Sequence, residues 1–245
     1  MKPISFSTIR VNRLRRSARR TTQALDEQRS GPWPEGWFAS DFDANVLIAV
    51  FDTLRLKAGF ALHAYRLREG HGGNGIIWAL PADSPQVPPD ECFRLEGFLS
   101  PPKPPGAVSL MKAIEGDGSP WSYLSASILR REAEEFGAFW HGCKWTPQTI
   151  LSKLPRPTSD PDVSADEWME TGDTPEDYWT WQGAAPTTWE PTYAESGATR
   201  MIVLHIRNPL GRDQIFRATD TYQPGSYDCA TKTKVLATGA GGFVY

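Results

Sequence analysis

The sequence predicts an α+β fold: N-terminal helices and a hairpin, a central amphipathic helix, C-terminal antiparallel strands and long Pro-rich loops. Three observations predict it. Helical patterns come first in the chain, strand-like runs cluster in the last fifty residues, and no strand-helix-strand alternation appears. At 245 residues the chain is long enough to bury a core without disulfide or metal staples.

Residues 7–31 read as a helix, with Val11, Leu14, Ala18 and Leu25 at helical spacings and Gly31-Pro32 as the stop. The same residues carry a dense basic run, with far more Lys/Arg than acids, so the predicted organisation is a basic helical arm over 1–31 and one α+β domain over 32–245. An aromatic loop follows at 33–43. A second, buried helix is expected over 44–57, where apolar residues fall on nearly every face.

Residues 59–68 and 75–81 have the aromatic and β-branched content of two strands. Between them lies Glu-Gly-His-Gly-Gly-Asn-Gly, residues 69–75. It has neither the GxGxxG nor the GxxxxGK spacing of a phosphate loop, and a strand rather than a helix follows it, so a hairpin turn is expected. From Pro81 to Pro105 eight prolines predict a stiff connection without regular structure.

The best helical signal spans 118–142. Ser119 is a natural N-cap and Pro120 a natural first residue. Trp121, Leu124, Ile128, Phe136 and Trp140 form the apolar stripe, and Arg130–Glu134 and Arg131–Glu135 are spaced to pair on the wet side. Strands are expected at 198–206, 214–222 and 234–238.

Charge is segregated. Residues 1–30 hold eight Lys/Arg against two acids, leaving eighteen basic and twenty-seven acidic residues for the rest. Residues 158–199 contain ten Asp/Glu, no Lys or Arg, and Trp168, Trp179, Trp181 and Trp189. Arg13, Arg15, Arg16, Arg19 and Arg20, with Arg10, form a run suited to phosphate backbones or to an acidic protein surface, the chain's own acidic stretch included. Trp179 and Trp181 share one face of an extended strand and are candidate partner contacts. Aromatic interleaving of the kind that binds single strands is absent from the arm.

Candidate catalytic residues are sparse. His141 and Cys143 are two apart and suit a base and a nucleophile; His71 sits in the glycine loop; Asp117 precedes a helix start. Each has a plainer reading: a histidine at a helix C-terminus, a packed cysteine, a turn residue and a carboxylate favoured by the helix dipole. No spacing predicts a metal site or a cofactor.

Cys92, Cys143 and Cys229 are an odd number without CxxC, and no run approaches the ~20 apolar residues of a membrane span. A soluble, cytoplasmic protein is expected, or an organellar one if the Arg-bearing residues 1–25 act as a transit peptide. The leading expectation is a non-catalytic interaction or regulatory module whose partner is a protein or a nucleic acid. The alternative is a hydrolase or transferase using His141 and Cys143 with the loop around His71.

Overall fold

The computed structural model describes residues 2–27, 34–70, 72–97, 99–155 and 178–242, with side chains from 2 to 22 within the first of these. His71, Trp168 and the acids from Asp160 to Asp177 lie outside the described residues.

The elements run β1 (Ile4–Ser5), α1 (Thr8–Glu27), β2 (Gly36–Ser40), α2 (Asn45–Ile48), β3 (Leu54–Leu56), β4 (Phe60–Glu69) and β5 (Gly72–Pro81). The short strands β6 (Phe93–Arg94), β7 (Pro102–Lys103), β8 (Val108–Ser109) and β9 (Ile114–Gly116) lead to α3 (Pro120–Glu134). Then come β10 (Thr149–Ile150), β11 (Trp179–Trp181), β12 (Thr192–Ser196), β13 (Thr199–Asn208), β14 (Gln214–Tyr222) and β15 (Cys229–Gly239).

This is a mostly β protein, 39% strand against 22% helix, and the expected α+β class is corrected accordingly. The difference comes from short strands that take their partners from far along the chain. The expected aromatic loop contains β2, which pairs with β4. The expected second helix is the single turn α2, after which Leu54–Leu56 leave it to pair with β9. Within the Pro-rich connection β6 pairs with β7, and Trp37, Tyr65 and Trp78 each donate a hydrogen bond to one of its carbonyls, at Leu99, Val87 and Pro102.

Two antiparallel sheets organise the molecule. A seven-stranded sheet runs β1-β12-β13-β14-β15-β11, with β10 also on β13; a four-stranded sheet runs β2-β4-β5-β8. The hairpin β4–β5 and the C-terminal meander β13–β14–β15 fall where the alternation predicts them.

Helix α3 lies between the sheets. Leu124, Ile128 and Leu129, all fully buried, share one core with Ile202, Leu204 and Ile206 of the large sheet and Ala64 and Ile77 of the small one. The helix is buried nearly all round rather than amphipathic, with Ser122, Ser125, Ser127 and Glu132 covered as well. Its start is as expected: Ser119 Oγ accepts from the Ser122 amide, and Pro120 follows. It ends at Glu134, earlier than the apolar spacing suggests, because Gly137 turns the chain at φ +67°, a conformation costly for any residue with a Cβ.

Of the two expected pairs on α3, Arg130–Glu134 forms at 2.7 Å. Arg131 instead reaches the fully buried Asp220, with Nη1 to Oδ2 at 2.6 Å and Nη2 to Oδ1 at 3.0 Å. Glu135 turns to the following loop, accepting from the Lys144 amide and the Thr146 hydroxyl, each at 2.5 Å.

Candidate binding surface on the basic helix

Helix α1 is held at its start from the far end of the chain. Glu190, in the acid-rich stretch, accepts from the Thr8 amide at 2.6 Å and from its hydroxyl at 2.5 Å. A carboxylate at this end also meets the positive pole of the helix dipole. β1 pairs with β12 immediately before it.

The inner face of α1 buries Val11 and Ala18 completely. Arg15 falls on that face, one turn from each, and only 6% of it is exposed. Its guanidinium stacks 3.8 Å above the Trp145 ring and donates from Nε to Glu132 at 3.3 Å, with further bonds to the Gln148 carbonyl at 2.5 Å and to the Trp145 carbonyl. Trp145 Nε1 donates to the same Glu132 oxygen at 2.7 Å. Burial lowers the Arg15 pKa to about 10 against the pull of Glu132, and burial pushes the Glu132 carboxyl up. Arg19 turns the same way, reaching the Thr146 carbonyl at 3.4 Å and lying 3.9 Å from Glu132. These two arginines join the helix to the body.

The outer face is different. Arg10, Arg13, Arg16 and Arg20 are exposed. At 100° per residue they fall within an arc of about 120° and span about 15 Å. No acidic residue occurs between Thr8 and Thr22, and among the described residues none of the four makes an ion pair. Arg10 is braced by stacking 3.7 Å above the Trp121 ring. Helical phase relative to Val11 and Ala18 already separates Arg15 from its exposed neighbours, so that signal was present in the sequence.

The candidate catalytic residues are arranged otherwise. The segment 136–142 crosses the glycine-rich start of β5, where Gly73 and Phe139 exchange hydrogen bonds at 3.3 and 3.0 Å. A Cβ on Gly75 would lie 2.6 Å from the Phe136 carbonyl oxygen, so the strand admits only glycine there. Gly72, Gly73 and Gly75 are thus strand residues beneath a crossing chain, and the β4–β5 pairing extends to Glu69↔Gly72.

His141 and Cys143 stand beside this crossing. His141 is exposed, its Nε2 accepting from the Trp140 indole at 2.8 Å. Trp140 itself holds φ +52°, unusual for a bulky residue. Cys143 is half-buried, and burial together with the Glu135 charge pushes its thiol up, away from a nucleophilic thiolate.

Asp117 lies beyond the opposite end of α3, which at fifteen residues is about 22 Å long. There it accepts from the Ser119 amide at 2.9 Å, and its hydrogen bonds to Ser119 hold the carboxyl below its ordinary value. The fold does not bring Asp117 to His141 and Cys143. Among the described residues no group of three His, Cys, Asp or Glu side chains is placed to hold a metal ion.

Trp179 is 3% exposed and packs with Leu151, Ile215 and Ala237. Trp181 is half-buried, edge-on to Trp189 at 6.2 Å. Both face inward, as anchors of β11 on the large sheet. Among the described residues no helix is long and apolar enough to cross a membrane.

No protein-family model, curated protein or solved structure matches this chain.

Proposed function

We propose that the chain is a non-catalytic binding module that grips the phosphate backbone of a nucleic acid through the outer face of α1. The observation that carries this reading is the division of one helix's arginines into two sets. Arg15 and Arg19 are tied to Glu132 and to carbonyls, whereas Arg10, Arg13, Arg16 and Arg20 form an exposed row that makes no ion pair among the described residues.

Guanidinium groups suit phosphate because their forked donors bond it bidentately. The row spans about 15 Å, and a duplex strand places one phosphate per ~3.4 Å of axis, so four contacts are within reach. The exposed row has no aromatic side chain between its arginines, which favours backbone contact over base stacking. The enzyme alternative has less support: burial and the Glu135 charge push the Cys143 thiol up, and Asp117 is remote from it.

Fluorescence anisotropy with a labelled 20-base-pair duplex tests the proposal. At ~50 mM salt the wild-type chain should bind, with log K falling against log salt at a slope of about −3.6 for four phosphate contacts. Replacing Arg10, Arg13, Arg16 and Arg20 by Gln should remove that binding while leaving the melting temperature within a degree or two, since none of the four is in the core. Unchanged binding by the variant, or none by the wild type, overturns the reading. Equal retention of polyglutamate, lost in the same variant, would replace nucleic acid with an acidic protein.

A further inference from the structure

Strand β5 is paired along its whole length on one side only. Toward β4 the register is continuous from Phe60↔Pro81 to Glu69↔Gly72. On the other side it meets β8 at Trp78 and Ala79, and Phe139 at Gly73. Among the described residues, no strand lies beside 74–77 on that edge. Because Gly73 both donates to and accepts from Phe139, antiparallel alternation directs the main-chain groups of Gly75 and Ile77 to the same edge. Those of Ile76 and Trp78 turn to β4.

The unpaired stretch opens into a cleft of about 340 Å³. Ile77, Leu110, Met111 and Ala133 supply its apolar surface; Arg130, Glu134 and Asp228 supply charge. Arg130 is already committed to Glu134 at 2.7 Å and to the Cys229 carbonyl at 2.8 Å. Asp228 is half-buried and forms no ion pair among the described residues, so the cleft has an uncompensated negative charge.

We infer that this cleft receives an extended peptide of a partner protein, added as a short strand to β5, with a basic side chain facing Asp228. The edge offers two N–H and two C=O groups in strand alternation, a pattern that matches a peptide main chain. The interval from Gly73 to Ala79 is about 20 Å, and its ends are filled by this chain's own Phe139 and β8, leaving room for about four residues. A second copy fits poorly, since its sheet edge would have to pass both of those segments. The inference is independent of the α1 surface.

Hydrogen exchange on the labelled full chain, with an amidated random hexapeptide library as probe, tests it. In the free protein the Gly75 and Ile77 amides should exchange at least ten-fold faster than those of Ile76 and Trp78. Peptides recovered on the immobilised chain should alternate apolar or β-branched residues and include Lys or Arg. They should slow the Gly75 and Ile77 amides ten-fold or more, and N-methylating the peptide should abolish the effect.

Ala133→Trp, which fills the cleft, should prevent recovery. If that variant does not fold, Asp228→Lys should shift the recovered charge from basic to acidic. Equal protection of all four amides in the free protein overturns the inference, as does a library that yields nothing or peptides that leave those amides unchanged. Protection that grows with protein concentration alone also overturns it, in favour of pairing between copies.

Discussion

Arg15 and Glu132, 117 residues apart, meet beneath Trp145, whose ring stacks on the guanidinium while its indole N–H bonds the carboxylate. Removing one partner of a buried ion pair leaves the other uncompensated, which costs about 3–5 kcal/mol. Glu132→Ala should therefore lower unfolding stability by that amount, and Arg15→Ala similarly, with the Trp145 and Gln148 carbonyls also losing a donor. Urea unfolding measures both. The double variant should cost less than the sum of the two, because its members share one interaction.

Asp220 makes a prediction about pH. Burial alone raises its carboxyl, but the Arg131 guanidinium and the hydroxyls of Thr231 and Ser127 outweigh burial and hold the group below its ordinary 3.8. A folded-state value depressed below the unfolded one contributes stability that is present above about pH 4 and is lost as pH falls through the folded value. Thermal unfolding followed from pH 6 to pH 2 should show a steep loss below pH 4. Asp220→Asn, destabilised throughout, should show a shallower one.

Gly75 and Gly72 sit three residues apart in one strand and should respond very unequally to alanine. At Gly75 the new methyl would be 2.6 Å from a main-chain oxygen of Phe136, whereas at Gly72 its nearest neighbour would be 3.5 Å away. Gly75→Ala should cost about 1–3 kcal/mol by forcing the crossing segment aside, and Gly72→Ala less than about 0.5 kcal/mol. Calorimetric melting of the two variants separates them.

Cys143 should react slowly with a thiol reagent at neutral pH, because burial and the nearby Glu135 disfavour its thiolate. Removing that charge with Glu135→Gln should speed the reaction, provided the 144–146 loop stays in place. A Cys143 that labels within the dead time of mixing would restore the case for a nucleophile.

Much of the local structure was legible where one segment decides its own fate. The β4–β5 hairpin shows in its alternation, and α3 announces itself at Ser119-Pro120. The fold class was not legible, because strands of two or three residues such as Leu54–Leu56 and Pro102–Lys103 exist only through distant partners. The glycines at 72–75 looked like a turn; what demands glycine at 75 is the backbone of Phe136, sixty-one residues later. In the candidate site, charge segregation marked α1, and its helical phase separates an outward Arg13 from an inward Arg15. Nothing local told that Arg131 would leave Glu135 for Asp220.

The bond between Thr8 and Glu190 spans 182 positions. During synthesis at about 5–20 residues per second, Thr8 is made roughly 9–36 seconds before the carboxylate that caps it. β12, the strand that β1 pairs with, is made later still. For the earlier part of that interval Arg15 and Arg19 also wait, until Glu132 is made, so the nascent helix holds two more arginines without an ion pair than the four that lack one among the described residues of the finished protein. The growing polypeptide is therefore more adhesive toward anions than the molecule it becomes, and completing the chain partly silences its own first helix.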